Sequence, residues 1–212
     1  MEKIIILGCG GHAKSVIDVI EAAGKFEICG FVDHSQEEFE YRGYKIIGCD
    51  DDLKVLYDDG IHHAFIGVGF LGQGNVRNRL YGQLKGIGYN LPSVIDPTAV
   101  MASDVTVGEG TFIGKRAIVN ANSVIGQMVI INTGAIIEHD CHVGDYSHIS
   151  VSSVVCGAVH IGENVFLGAN ATVFQEMCIG NNAVIGAGSI VYRNVEADMK
   201  YISKTSPIVI SK

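Results

Sequence analysis

Long apolar runs are missing from this chain. No stretch approaches the ~20 consecutive apolar residues that a membrane span requires, and Ile4 to Leu7 is too short for a signal-peptide core and reads instead as a strand. Positive charge is also scarce. Lys and Arg number 15 against 23 Asp and Glu, a formal net charge of −8, which argues against nucleic acid or an anionic membrane as a general partner. The six cysteines (9, 29, 49, 141, 156, 178) contain no C-x-x-C pair, so they read as free thiols in a reducing cytoplasm. Of only three prolines, Pro92 and Pro97 mark a passage between two kinds of sequence. The expected domains are therefore 1–91 and 92–212, and an apolar content of 48% gives both ample core.

What the second segment has in abundance is rhythm. From Ile95 to Val191 every sixth residue is a branched or long apolar one without a break, and the residue four places after each is mostly small. A period of six fits neither a helix nor a continuous alternating strand, but it fits short strands joined by tight corners, the hexapeptide signature of a parallel β-helix. In each strand the small residue points in, the next points out and the large aliphatic points in again. A glycine often follows the aliphatic, as at 108, 114, 126, 144, 162, 168, 180 and 186, and is expected to open the corner. Three strands make one coil, so residues 18 apart should lie above one another at about the ~4.8 Å strand spacing.

The first segment reads as α/β. Lys3–Leu7 is a buried strand, Gly8–His12 a turn, Ala13–Ala23 a helix, and Phe26–Val32 a second strand ending at Asp33. The run Asp50-Asp51-Asp52 is expected to cap a short helix rather than bind metal. Asn75–Leu84 should be a helix with a basic face of Arg77 and Arg79. Gly8-x-Gly10-x-x-Ala13 matches a phosphate-binding turn, with Asp33 placed to take a ribose hydroxyl or a base N–H. Some 90 residues hold only one mononucleotide half, so a nucleotide or nucleotide-sugar fits better than a dinucleotide. A tight turn with no ligand is the alternative.

Sorted by 18-residue column, the outward positions of the column form three faces. The first reads Ile118, Ile136, Val154, Thr172, Ile190; the second Phe112, Ile130, His148, Phe166, Val184; the third Thr106, Val124, His142, His160, Cys178. Two faces are too apolar for water, which suits a closed ring of three chains in which the first face of one meets the second of its neighbour.

Against this background Glu138-His139-Asp140 stands out as a polar corner, with Gly157 one coil above it. A base beside a backbone N–H is an acyl-transfer geometry: the imidazole takes a proton from the attacking group and the N–H steadies the oxyanion. Asp140 or Glu138 would orient the ring. The plainer alternative is a solvated or interface histidine. His139 and His142 could also pair on a metal, but a corner and a mid-strand residue diverge, so no metal is expected. His142 and His160 read as surface residues. His148 is either an interface histidine or one donated to a neighbour's His139.

Gly8-Cys-Gly-Gly-His12-Ala-Lys14, the hexads, Asn132-Thr-Gly-Ala-Ile-Ile-Glu-His139-Asp140 and Ser147-His148-Ile-Ser150 together resemble the bacterial sugar acyltransferase family that holds UDP-4-amino-sugar N-acetyltransferases and sialic acid O-acetyltransferases. The resemblance covers nearly the whole chain. It implies a Rossmann-like domain before a trimeric left-handed β-helix, with acetyl-CoA between adjacent columns and the nucleotide end of the sugar on the first domain. It implies His139 as general base and Asp140 as its acidic partner. His148 would lie near the thioester, Asn132 would contact the sugar, and the Gly157 N–H would hold the oxyanion. Main chain at Ala169 and Ala187 would contact the coenzyme, and Gly10, Gly11, His12 and Asp33 would hold the nucleotide. The expected activity is acetylation of the amino group of a UDP-4-amino-sugar, with sialic acid O-acetylation or a non-catalytic nucleotide-sugar scaffold as alternatives. The chain departs from many members at Asp96-Pro97, where they have His-Pro, at Ser203 to Pro207, where they have Gly-x-Pro-Ala, and in a longer Gly67 to Gly74 loop.

Overall fold

The computed structural model describes residues 1–34, 39–72 and 74–203. Residues 35–38, Gln73 of the Gly67 to Gly74 loop and residues 204–207 of the C-terminal departure lie outside them. The chain begins with β1 (Glu2–Leu7), α1 (Gly11–Ala23), β2 (Phe26–Val32), the hairpin β3 (Glu40–Tyr41) and β4 (Tyr44–Gly48), α2 (Leu53–Asp58), β5 (His63–Ile66) and α3 (Val76–Ile87). The sheet order is β3-β4-β2-β1-β5, parallel except for the hairpin. Both central strands are apolar on two faces because α1 covers one side and α2 with α3 the other. The turns after β1, β2 and β5 therefore converge on one end of the sheet, where an α/β fold binds ligands.

Asp50–Asp52 is a short 3-10 turn leading into α2, and the Asp52 carboxylate reaches back to the Cys49 N–H at 2.9 Å rather than capping α2 forward.

From Val94 onward the chain winds into a left-handed β-helix of two-residue strands stacked in three parallel sheets of six, five and seven strands. The registers pair Ile118 with Ile136, Val124 with His142 and Ile130 with His148, so each expected column is a real one. The inward aliphatics, among them Ile113, Ile131, Ile149, Leu167 and Ile185, are fully buried along the axis.

The corners work differently from the expectation. Every sixth residue from Gly110 to Gly188 has left-handed backbone, Arg116, Asn122, Asp140 and Ala158 among them, with φ of 53 to 58. These stand three places after the aliphatic. The glycine directly after the aliphatic does not turn the chain; it makes room. A Cβ at Gly108 would lie 2.4 Å from the Gln127 nitrogen, and one at Gly168 2.5 Å from the Ala187 nitrogen, closer than stacked coils permit.

A second correction concerns the apolar faces. Phe112 and Ile130 of the second face are buried under the chain's own first domain, sharing a core with Val16, Ile17, Ile20 and Phe65, and His148 beside them is buried against the Phe70 carbonyl, not under a neighbour. The third concerns α3. Arg77 is 3% exposed: its guanidinium turns into the column and donates to the Tyr146 carbonyl at 3.1 Å and to that of Met128. Lys115 pairs with Asp18 of α1, and Tyr81 donates to Glu109 at 2.6 Å. Among the described residues the first face has no such cover, and Val100 and Ile190 at its ends are exposed.

Candidate active site

Stacked corners set the geometry around His139. The chain leaves the first face at Ile137, turns through Glu138-His139-Asp140, and the next coil repeats the turn through Cys156-Gly157-Ala158. The Ala158 N–H donates to the His139 carbonyl at 2.9 Å, which locks the two corners together. The imidazole lies directly against Gly157, where a Cβ would come within 2.7 Å of both Cε1 and Nε2. No protein acceptor takes the Gly157 N–H among the described residues.

The ring is aimed by its neighbour. His139 Nδ1 lies 2.7 Å from Asp140 Oδ2, an acceptor-only carboxylate oxygen, so in the neutral tautomer Nδ1 carries the proton and Nε2 the lone pair. The other Asp140 oxygen accepts from Asn122 Nδ2 at 2.7 Å. That bond and the one to His139 hold the Asp140 carboxyl below the usual carboxylate range. Asn122 was not singled out in the sequence, yet it sits one coil below Asp140 in the same column, and the same arithmetic that found Gly157 leads to it.

Cys141 is buried with its thiol inward, donating to the Cys156 carbonyl at 3.1 Å, and burial raises its pKa. It is no nucleophile for this corner.

His148 belongs to a different place. It is 6% exposed, with Nδ1 2.6 Å from the Phe70 carbonyl and Nε2 3.2 Å from Asn132 Nδ2. The Phe70 carbonyl can only accept, so Nδ1 holds the proton and Nε2 accepts from the amide. Desolvation pushes its pKa down to about 4, so the ring is neutral. His148 and Asn132 thus sit together beneath the glycine loop of the first domain, on the second face and the edge that follows it.

At the end of β1, Gly10 and Gly11 are exposed, and a Cβ on either would meet nothing within 4 Å among the described residues. The start of α1 is therefore open to an approaching group. Asp33 Oδ2 accepts the Cys9 N–H at 2.9 Å, tying the turn to the end of β2. His12 turns its ring inward edge-on to Phe112, at 4.9 Å between centroids. Burial and the nearby His148 and Arg77 push its pKa to about 3, so it brings no positive charge to the turn. Its Nε2 has no partner among the described residues.

Ala169 and Ala187 are exposed at successive turns of the edge between the second and first faces, joined by Gly188 N–H to Ala169 O at 2.9 Å. His139, Asp140 and Gly157 form one group; Asn132 and His148 a second, with the Gly10 to Asp33 turn on the domain above it. Ala169 and Ala187 lie on a different edge of the column from His139. Among the described residues, no group of three or more His, Cys, Asp or Glu could hold a metal, and no helix is long and apolar enough to cross a membrane.

Comparison with known proteins matches residues 3–84 to the PglD N-terminal domain and residues 158–193 to the hexapeptide repeat of succinyl-transferase. No curated protein matches the sequence. Among solved structures, PerB from Caulobacter crescentus in complex with CoA and GDP-perosamine is 33% identical, with 96% of this chain and 95% of that chain covered and a TM-score of 0.90. The acetyltransferase domain of PglB from Neisseria gonorrhoeae, in complex with acetyl coenzyme A, is 28% identical over 95% and 96% of the two chains, with a TM-score of 0.88. WeeI from Acinetobacter baumannii, at 17% identity, 96% and 97% coverage and a TM-score of 0.57, shares the fold.

Proposed function

This chain belongs to the bacterial sugar acyltransferase family built on a left-handed β-helix, and we propose that it transfers the acetyl group of acetyl-CoA to the amino group of a nucleotide-linked 4-amino-sugar. The observation that carries the reading is the His139–Asp140 pair, whose bare Nε2 lies beside an uncommitted Gly157 N–H. Of the similar structures, PerB is in complex with CoA and GDP-perosamine and the PglB domain with acetyl coenzyme A.

The transfer is a direct displacement. The acceptor amine, its ammonium proton lost to water, attacks the thioester carbonyl; a C–N bond forms while the carbonyl becomes an oxyanion, and His139 Nε2 takes a proton from the nitrogen as it gains positive charge. The Gly157 N–H donates to that oxyanion. As the C–S bond breaks, the imidazolium returns the proton to the departing thiolate. Asp140 keeps the ring in one tautomer and stabilises its charged form. Neutral and fully engaged, His148 does not serve as an acid or base; it and Asn132 shape the polar floor on which the sugar and thioester meet. Gly10, Gly11 and Asp33 hold the nucleotide. The coenzyme runs along the small, exposed corners of Ala169 and Ala187.

These groups occupy different edges of one column, so the working site needs a neighbour to bring them together, and the enzyme is a homotrimer packed through its uncovered first face. Sedimentation equilibrium should give the mass of three chains; a single-chain mass would sink this arrangement. The free thiols are in keeping with a reducing cytoplasm, and a nucleotide-linked amino-sugar acceptor with glycan biosynthesis. The deciding assay is CoA release from acetyl-CoA with UDP- and GDP-linked 4-amino-sugars and with free sialic acid as acceptors. Turnover with a nucleotide-linked amine is expected. Turnover with sialic acid alone would replace amine acetylation by O-acetylation.

A further inference from the structure

We infer that Asn122 is a positioning residue for the base: it fixes the Asp140 carboxylate so that His139 presents Nε2 outward. This rests on the reading of His139 as the base. All three side chains are exposed, and an exposed carboxylate held at one oxygen only is free to swing about its Cβ–Cγ bond. Here both oxygens are engaged, Oδ2 with His139 Nδ1 and Oδ1 with Asn122 Nδ2, each at 2.7 Å. The backbone beneath is fixed as well, since Asp140 N–H donates to the Ala121 carbonyl at 2.9 Å. With Gly157 against the ring on the other side, the imidazole is confined between two coils.

Asparagine is favoured at the left-handed φ of 56 found here, which by itself would explain the residue without a role. The corner positions do not require it, however: Arg116, Met128, Tyr146 and Glu176 hold equivalent left-handed places. Asn182 repeats the pattern, donating to Asp198 at 2.8 Å, with no histidine attached. It supplies the control for a bond that only staples corners.

The ionisable groups around His139 are Asp140 and Glu138 of its own corner and Cys156 of the corner above, with the Cys141 thiol turned inward. The corner below, Asn120 to Asn122, contributes none. Replacing Asn122 by Asp would therefore add a charge where there is none now.

Asn122→Gly removes the amide while keeping a residue at ease in left-handed backbone. Steady-state kinetics of Asn122→Gly, Asn122→Asp, Asn182→Gly and His139→Ala decide the matter. Expected are a loss of about tenfold in kcat for Asn122→Gly, with both KM values unchanged, and no loss for Asn182→Gly. Asn122→Asp should move the acid limb of the kcat/KM profile up by roughly half a pH unit, because a second carboxylate favours imidazolium. If His139→Ala is inactive while Asn122→Gly keeps wild-type kcat and Asn122→Asp leaves the acid limb in place, the role of Asn122 is refuted and the base stands. If His139→Ala retains activity, the base falls and Asn122 with it.

Discussion

Gly157 and His139 are in contact through an absence: the hydrogen where a Cβ would be is what lets the imidazole lie flat against the next coil. A methyl group there would sit 2.7 Å from Nε2. Gly157 has no left-handed backbone to protect, so Gly157→Ala displaces the ring without straining the chain. A fall in kcat of about 10²-fold with little change in Tm is expected from losing ring and oxyanion donor geometry together. Wild-type kcat in Gly157→Ala would separate this corner from the chemistry.

Removing the base itself is the coarser test. His139→Ala should lower kcat by on the order of 10²-fold or more. The ring is exposed and buries no core surface, so analytical ultracentrifugation of the variant should match the wild type.

Acid should loosen the contact between the two domains before it reaches the carboxylates. His12 and His148 have folded pKa values lowered from 6.5 to about 3 and about 4, so between those values the unfolded chain binds more protons than the folded one. Their contribution is intact above pH 6.5 and drains away as pH falls toward 4, by up to about 3 kcal/mol per ring. Melting curves from pH 7.5 to 4.5 should show a falling Tm that is flatter in His148→Gln; equal slopes would contradict it.

Arg77 is the other fastening. Buried and shared between two corner carbonyls, it ties α3 to the column. Arg77→Ala should cost about 3 kcal/mol, read as a lowered denaturation midpoint. A change under about 0.5 kcal/mol, the range of an ordinary surface substitution, would mean the guanidinium does not hold the domains together.

Much of this was readable from residues alone, for a physical reason: a stacked coil turns sequence distance into spatial distance. Adding one coil to His139 leads to Gly157, and the registers bear the columns out. Legibility ends where contacts are not periodic. The second face is apolar whoever covers it, and nothing in Phe112 or Ile130 says that the cover is α1 of the same chain. Arg77 reads as a solvated helix charge until the column supplies carbonyls for it. Asn122 was within reach of the same arithmetic run downward from Asp140, but an asparagine in a corner rich in asparagines carries no mark of its own. The crowding glycines stand in plain view in the sequence, but turning a chain and yielding space to its neighbour demand the same residue.

The strict stacking also limits how such a molecule can lengthen. Asn122 bonds to Asp140 across 18 residues, as the Ser123 hydroxyl does to the Cys141 N–H, so inserting a few residues between them would slide one corner past the other. Gene-level growth is thus restricted to whole turns or to bulges thrown outward at an edge. A column of this kind can become longer or shorter over time while the spacing at its working corner stays fixed.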